Sequence, residues 1–171
     1  MLLAVLLAIM IPSISFSQND NDDFNMSYSV YSNNMYASGD DVTINVYAYY
    51  LRKNAEFNFK IYKINDVEGF FSRQTSNYQI DVLSKDSLNL LGLCDEVDSF
   101  NKRMKVEGDN NYYYSYETIT YKPKQKGAFV VRVAYKNKVA YTGFFVTDIG
   151  TITEASNNAL LAYTVDSKSG E

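Results

Sequence analysis

Histidine is absent from the 171-residue chain, cysteine occurs once and proline twice. Without His there is no Ser-His-Asp or Cys-His nucleophile system, no imidazole metal ligand and no imidazole pH switch. A single Cys closes no internal disulfide and builds no structural zinc site. The eight glycines are scattered, so no Gly-rich phosphate loop is present. Lys plus Arg total 16 against 20 Asp plus Glu, a net charge of −4, which lacks the basic footprint of a nucleic-acid binder. What is present is apolar and aromatic. Hydrophobic residues make up 46% of the chain, with 16 Tyr and 10 Phe, enough for a packed core and against global disorder. The length is about one domain with room left over.

The opening reads as an address. Leu2 to Ile11 is an unbroken apolar run ended by Pro12, and small residues stand at Ser15 and Ser17. The run is too short to cross about 30 Å of hydrocarbon, so residues 1–17 are expected to be a secretory signal peptide cut after Ser17. No Lys or Arg precedes the run, so the true start codon stays open. Secretion or a periplasmic location follows, with no stable membrane span after cleavage. One thiol in the whole chain suits that destination. Residues 18–26 form an acidic linker. Asp20, Asp22 and Asp23 lack the central Gly and distal Glu of a calcium loop and read as solvated. Asn25-Met26-Ser27 fits a glycosylation sequon, which matters only in a eukaryotic secretory pathway.

From Ser27 the hydrophobic period is two. Val42, Ile44, Val46, Ala48 and Tyr50 alternate with Thr43, Asn45, Tyr47 and Tyr49. Ala55, Phe57, Phe59 and Ile61 alternate with Glu56, Asn58, Lys60 and Tyr62. Further strands are expected from Tyr112 to Tyr121, Ala128 to Tyr135 and Val139 to Thr147. Asn137-Lys138 is the expected tight turn between the last two, and Pro123 and Gly127 bracket the loop before them. Asp66 caps a short helical turn carrying Val67, Phe70 and Phe71. Leu90, Leu93, Val97, Phe100 and Met104 recur at helical steps, yet Val97 to Val106 also suits a strand with a bulge. Both readings stand. The expected fold is an all-β antiparallel sandwich, immunoglobulin-like, with one or two short helical turns. Its expected core is Val42, Ile44, Val46, Phe57, Phe59, Ile61, Phe129, Val131, Val133 and Phe145.

Residues 149–171 look like the truncated beginning of a second β-module. Leu160, Ala162 and Thr164 alternate with Leu161, Tyr163 and Val165, and Asp166 to Gly170 reads as a hairpin turn. A strand here without a partner leaves its backbone groups unpaired.

These landmarks, in this order, resemble the N-terminal macroglobulin (MG2-like) domain of bacterial alpha-2-macroglobulins. The likeness runs through Tyr36-Ala37-Ser38-Gly39-Asp40-Asp41-Val42, then Phe59-Lys60-Ile61-Tyr62-Lys63-Ile64 and the turn from Asp66 to Phe71. It continues in Lys126-Gly127-Ala128-Phe129-Val130-Val131 and in the junction Phe145-Val146-Thr147-Asp148-Ile149-Gly150, and it ends in the strand and turn from Asn158 to Gly170. The resemblance implies that residues 27–148 are a macroglobulin-like β-sandwich inside a larger chain. That chain would be a secreted endopeptidase inhibitor that traps proteases. Its partners would be proteases, met through the full-length protein, and the neighbouring β-modules. The module itself would be non-catalytic, with no cofactor and no metal.

The tempting sites read blandly. The family's thioester places a Gln three residues after its Cys, and Cys94 is followed at that distance by Val97, which has no acyl group to give. Asp95 and Glu96 would raise the thiol pKa, so Cys94 reads as structural. The carboxylates Asp95, Glu96 and Asp98, and the pair Asp40 and Asp41, read as turns or solvated faces. Lys122, Lys124 and Lys126 read as edge-protecting charge. Tyr47, Tyr49, Tyr112, Tyr114 and Tyr116 are expected on outer sheet faces, where aromatics pair across strands or stack on sugar rings. That supports the alternative function, a surface adhesin or glycan-binding β-sandwich. No enzymatic activity is expected.

Overall fold

The computed structural model describes residues 26–72, 91–108, 113–155, 160–166 and 169. The expected signal peptide and cleavage site, Asp20 to Asp23 and Asn25 of the sequon lie outside the described residues, as does Tyr112. The chain is an all-β antiparallel sandwich. Its strands are β1 (Ser27–Ser32), β2 (Met35–Tyr36), β3 (Val42–Tyr49) and β4 (Ala55–Ile64), then helix α1 (Val67–Ser72). After α1 come β5 (Cys94–Met104), β6 (Tyr114–Tyr121), β7 (Gly127–Tyr135) and β8 (Lys138–Val146), and finally β9 (Ile149–Ala155) and β10 (Leu160–Asp166).

One sheet orders β1-β3-β6, and the other β2-β8-β7-β4-β5. All pairings are antiparallel except the two-residue β2, which runs parallel to β8. The period-two residues of the two sheets meet between them. Val42, Ile44 and Val46 from one side and Phe57, Phe59, Ile61, Phe129, Val131 and Val133 from the other are fully buried in one cluster. Burying such faces contributes roughly 25 cal/mol per Å² of apolar surface. Rings lock the layers. Phe57 stacks on Tyr135 at 4.7 Å and meets Tyr28 edge-on at 5.0 Å, and Phe129 stacks on Phe144 at 5.0 Å. The Tyr28 hydroxyl donates to the carbonyls of Val133 and Lys138, at 3.0 and 2.7 Å, and so ties β1 to the β7–β8 hairpin.

A second, smaller core covers the other face of the five-stranded sheet. Asp66 caps α1 as expected, its Oδ1 accepting the Gly69 amide at 2.8 Å. The cap holds Phe70 fully buried against Ile64, Ala128, Val130 and Tyr141.

Three local expectations are corrected and one open choice is settled. Phe144, not Phe145, enters the main core. Consecutive strand residues face opposite ways, and Phe145 turns to the outer side, where Phe71 stacks on it at 5.7 Å. The β7–β8 turn is Lys136-Asn137, because Tyr135 pairs with Lys138, and Lys136 takes φ 52°. Tyr50 follows β3 rather than extending it, with φ 59° and its ring exposed. Of the two readings of the segment ending at Val106, the strand is the one adopted. Ile61 faces Asp98 while Tyr62 faces Glu96, so Val97 is the extra residue of a bulge. That bulge is what gave the apolar residues their irregular spacing.

The C-terminal strand is also corrected. Leu160–Asp166 does have a partner, β9, with Asp166 opposite Ile149 and Leu160 opposite Ala155. The two form a sheet of their own, separate from both sandwich sheets. Asp166 Oδ1 accepts the Ser169 amide at 2.9 Å, consistent with the turn expected there.

Candidate functional site

Three of the quoted sequence segments converge on Asp148, where the chain leaves the sandwich. The first is the Tyr36 segment. Tyr36 lies in β2 beside Val146, and its carbonyl accepts the Thr147 amide at 2.9 Å. Its hydroxyl donates to the Thr43 carbonyl and accepts the Thr43 amide, both at 3.1 Å, which closes the chain between β2 and β3 into a loop. The loop turns at Gly39, whose φ of 93° suits a residue without Cβ. Asp40 Oδ2 accepts the Ala37 amide at 3.2 Å across the same turn. The turn presents Ser38 to the junction. Ser38 donates to the Asp148 carboxylate twice, from its amide and from its hydroxyl, each at 2.9 Å.

The second is the Lys126-Gly127 segment. Gly127 opens β7 at φ 142°, and a Cβ there would stand 3.1 Å from Lys63 Cε. Beside it Lys126 Nζ reaches Asp148 Oδ2 at 2.6 Å. The third segment carries Asp148 itself, only 9% exposed. The Lys126 ammonium first, then the Ser38 amide and hydroxyl, hold its carboxyl well below the usual carboxylate range. Lys126 is therefore not an edge-protecting charge, as its spacing with Lys122 and Lys124 suggested. It is one jaw of a clamp at the junction. Sequence reasoning marked Asp148 as part of a junction and missed its role, because Ser38 and Lys126 are far from it in sequence.

The remaining candidates separate. Burial, and then the charge of Asp95, push the Cys94 thiol up to about 11, so little thiolate exists at neutral pH. Glu96 pairs with Lys60 at 2.7 Å on the surface, and Asp98 accepts the amide of Ser99 at 2.8 Å. Among the described residues no three His, Cys, Asp or Glu side chains gather as a metal site. Among the described residues, too, no helix is long and apolar enough to cross a membrane.

The tyrosines do assemble. On the outer face of the three-stranded sheet, Ser27, Tyr49 and Tyr114 form one row and Ser29, Tyr47 and Tyr116 the next. Tyr31, Asn45 and Thr118 form a third row, and Thr43 and Thr120 a fourth. Tyr47 is central, with ring centroids 4.5 Å from Tyr49, 6.3 Å from Tyr114 and 5.9 Å from Tyr116. Asn45 Oδ1 accepts the hydroxyls of Tyr116 and Thr118, both at 2.9 Å. Tyr31, Tyr49 and Tyr116 remain exposed. Next to Tyr31 a cleft of ≈ 450 Å³ runs between β1 and β8, walled by Tyr28, Val139 and Tyr141 among others.

No family model matches the chain, and no curated protein matches it. Among solved structures, it is similar to a CARDB domain from Pyrococcus furiosus, described as a complex with di-metal ions. Identity is 9%, the match covers 71% of this chain and 89% of that one, and the TM-score is 0.34.

Proposed function

We propose that the chain is a non-catalytic structural module of a secreted alpha-2-macroglobulin-like protein, a protease-trapping endopeptidase inhibitor. The observation that supports this reading is the Asp148 clamp. Segments that resemble the family at Tyr36 to Val42, Lys126 to Val131 and Phe145 to Gly150 are distant in sequence, yet their polar residues meet at one point. That point is where the sandwich hands over to β9 and β10, which build a separate sheet. A module in a series needs such a fixed exit, so that movement of one unit is passed to the next instead of being lost in a slack linker. The low thiolate content of Cys94 and the surface roles of its acidic neighbours suit a scaffold. In this reading proteases are met by other parts of the full-length protein.

The native coding sequence read onward from Glu171 tests the proposal. It is expected to continue through serial β-modules, and mixing the full-length product with a protease is expected to give a stable complex on a sizing column. A stop codon directly after Glu171, or a full-length product that leaves proteases uncaptured, overturns it.

A further inference from the structure

The clamp leaves the outer face of β1, β3 and β6 unexplained. Protein surfaces carry charge at about 25–35% of positions, so the eleven outward positions of this face should hold roughly three charged residues. They hold none, in a chain that is 21% charged. Every one of them bears a hydroxyl or an amide.

We infer that this face binds an uncharged glycan chain, stacking sugar rings on Tyr31, Tyr49 and Tyr116 and bonding their hydroxyls to Asn45 and Thr118. A sugar ring has a face of C–H groups and a rim of hydroxyls. The exposed tyrosine rings supply apolar area for the first, and the amide and hydroxyl groups supply donors and acceptors for the second. Tyr47 is the positioning residue, since it touches Tyr49 and Tyr116 and sets the tilt of both. The cleft beside Tyr31 adds a concave wall to an otherwise open surface.

Charge selects the ligand. With a net charge of −4 the protein repels a polyanion at long range, and the face offers a polycation no carboxylate. A protein partner fits less well. Interface cores are more apolar than the rest of a surface, and covering a face with a hydroxyl or amide at every position costs free energy unless each group finds a new partner. A polyhydroxyl chain brings those partners with it. The inference does not depend on the macroglobulin reading, and the two fail separately.

The test is affinity electrophoresis of the full chain through gels containing β-1,3-glucan, xyloglucan or α-mannan, with alginate as the anionic comparison. Retardation by at least one neutral polymer and none by alginate is expected. Tyr31→Ala and Tyr116→Ala should each weaken it about tenfold. Removing a ring also weakens cross-strand pairing, so Asn45→Asp is the second variant. It keeps the side-chain shape, adds a charge to the neutral face and should abolish retention with the unfolding midpoint nearly unchanged. No retardation by any neutral polymer overturns the inference, as does retention that survives all three variants. Self-association that Tyr116→Ala relieves would overturn it too and assign the face to a second copy of the chain.

Discussion

At Asp148 one carboxylate answers three donors from two distant segments, and its ionisation is therefore coupled to folding. A carboxyl whose pKa is depressed in the fold stabilises the fold above its unfolded value, about 3.9, and loses that contribution as the pH falls through the folded one. Asp148→Asn should lower the urea midpoint at pH 7. The gap between the two proteins should narrow below about pH 4, which paired denaturation curves will read. Tyr28 works in the opposite direction. Burial raises its phenol to about 12, opposed by a backbone hydrogen bond with Tyr135 and by the charge of Arg132. The neutral phenol is the form the fold prefers, so its contribution is complete below about pH 10 and is lost as pH climbs from there to about 12. Tyr28→Phe should cost about 1–3 kcal/mol at pH 7, because two carbonyls lose their donor, and the difference from wild type should shrink across that alkaline window. Little of this was readable beforehand. Tyr28 is one of sixteen tyrosines, and nothing local to it announces Val133 or Lys138, more than a hundred residues away.

Elements divide into those that local pattern specifies and those that need a neighbour. Strands β3, β4 and β7 were legible because period two and one buried face say the same thing, as with Phe57, Phe59 and Ile61. The α1 cap was legible because Asp66 sits directly before the first helical residue. The choice between Phe144 and Phe145 was not legible. Both are large and apolar, and Phe145 is also covered, by an aromatic from a helix that sequence does not place over that face. Strand β5 was obscured by its bulge at Val97, which breaks the period without breaking the strand. On the outer face the tyrosines of β3 and β6 were foreseen by alternation, whereas Tyr31 was added only by the pairing of β1. The cap provides a prediction at this scale. A six-residue helix has almost no stability of its own, so its cap and its contact through Phe70 hold it. Asp66→Ala should cost about 1 kcal/mol and speed amide exchange at Gly69 and Phe70 ahead of the strand amides. Equal acceleration in β7 would mean that the helix and the sheet unfold together.

At the scale of the whole molecule the question is how much the sandwich owes to the hairpin after it. Both sandwich sheets find their hydrogen-bond partners within Ser27–Val146, and β9 and β10 pair with each other. Asp148, the last residue before β9, draws its donors from Ser38 and Lys126, both inside the sandwich. The first residue of β9 is itself held locally, its amide donating to Thr147 Oγ1 at 3.0 Å. A chain ending at Gly150 therefore keeps both hydrophobic clusters and the complete clamp. It should unfold in one transition, with a stability only slightly below that of the longer chain, since the cut removes Asp166, whose charge acts on the exposed Lys126 ammonium of the clamp. The same cut made in an Asp148→Asn background tests whether the clamp acts on the sandwich alone or also ties it to the hairpin. If the clamp holds the exit by itself, the variant's loss of stability is the same in both chain lengths. If the loss grows when the hairpin is present, the hairpin pulls on the sandwich once Asp148 lets go. The clamp would then be a coupling between units, and its strength would set how far a displacement in the following sheet reaches into this one.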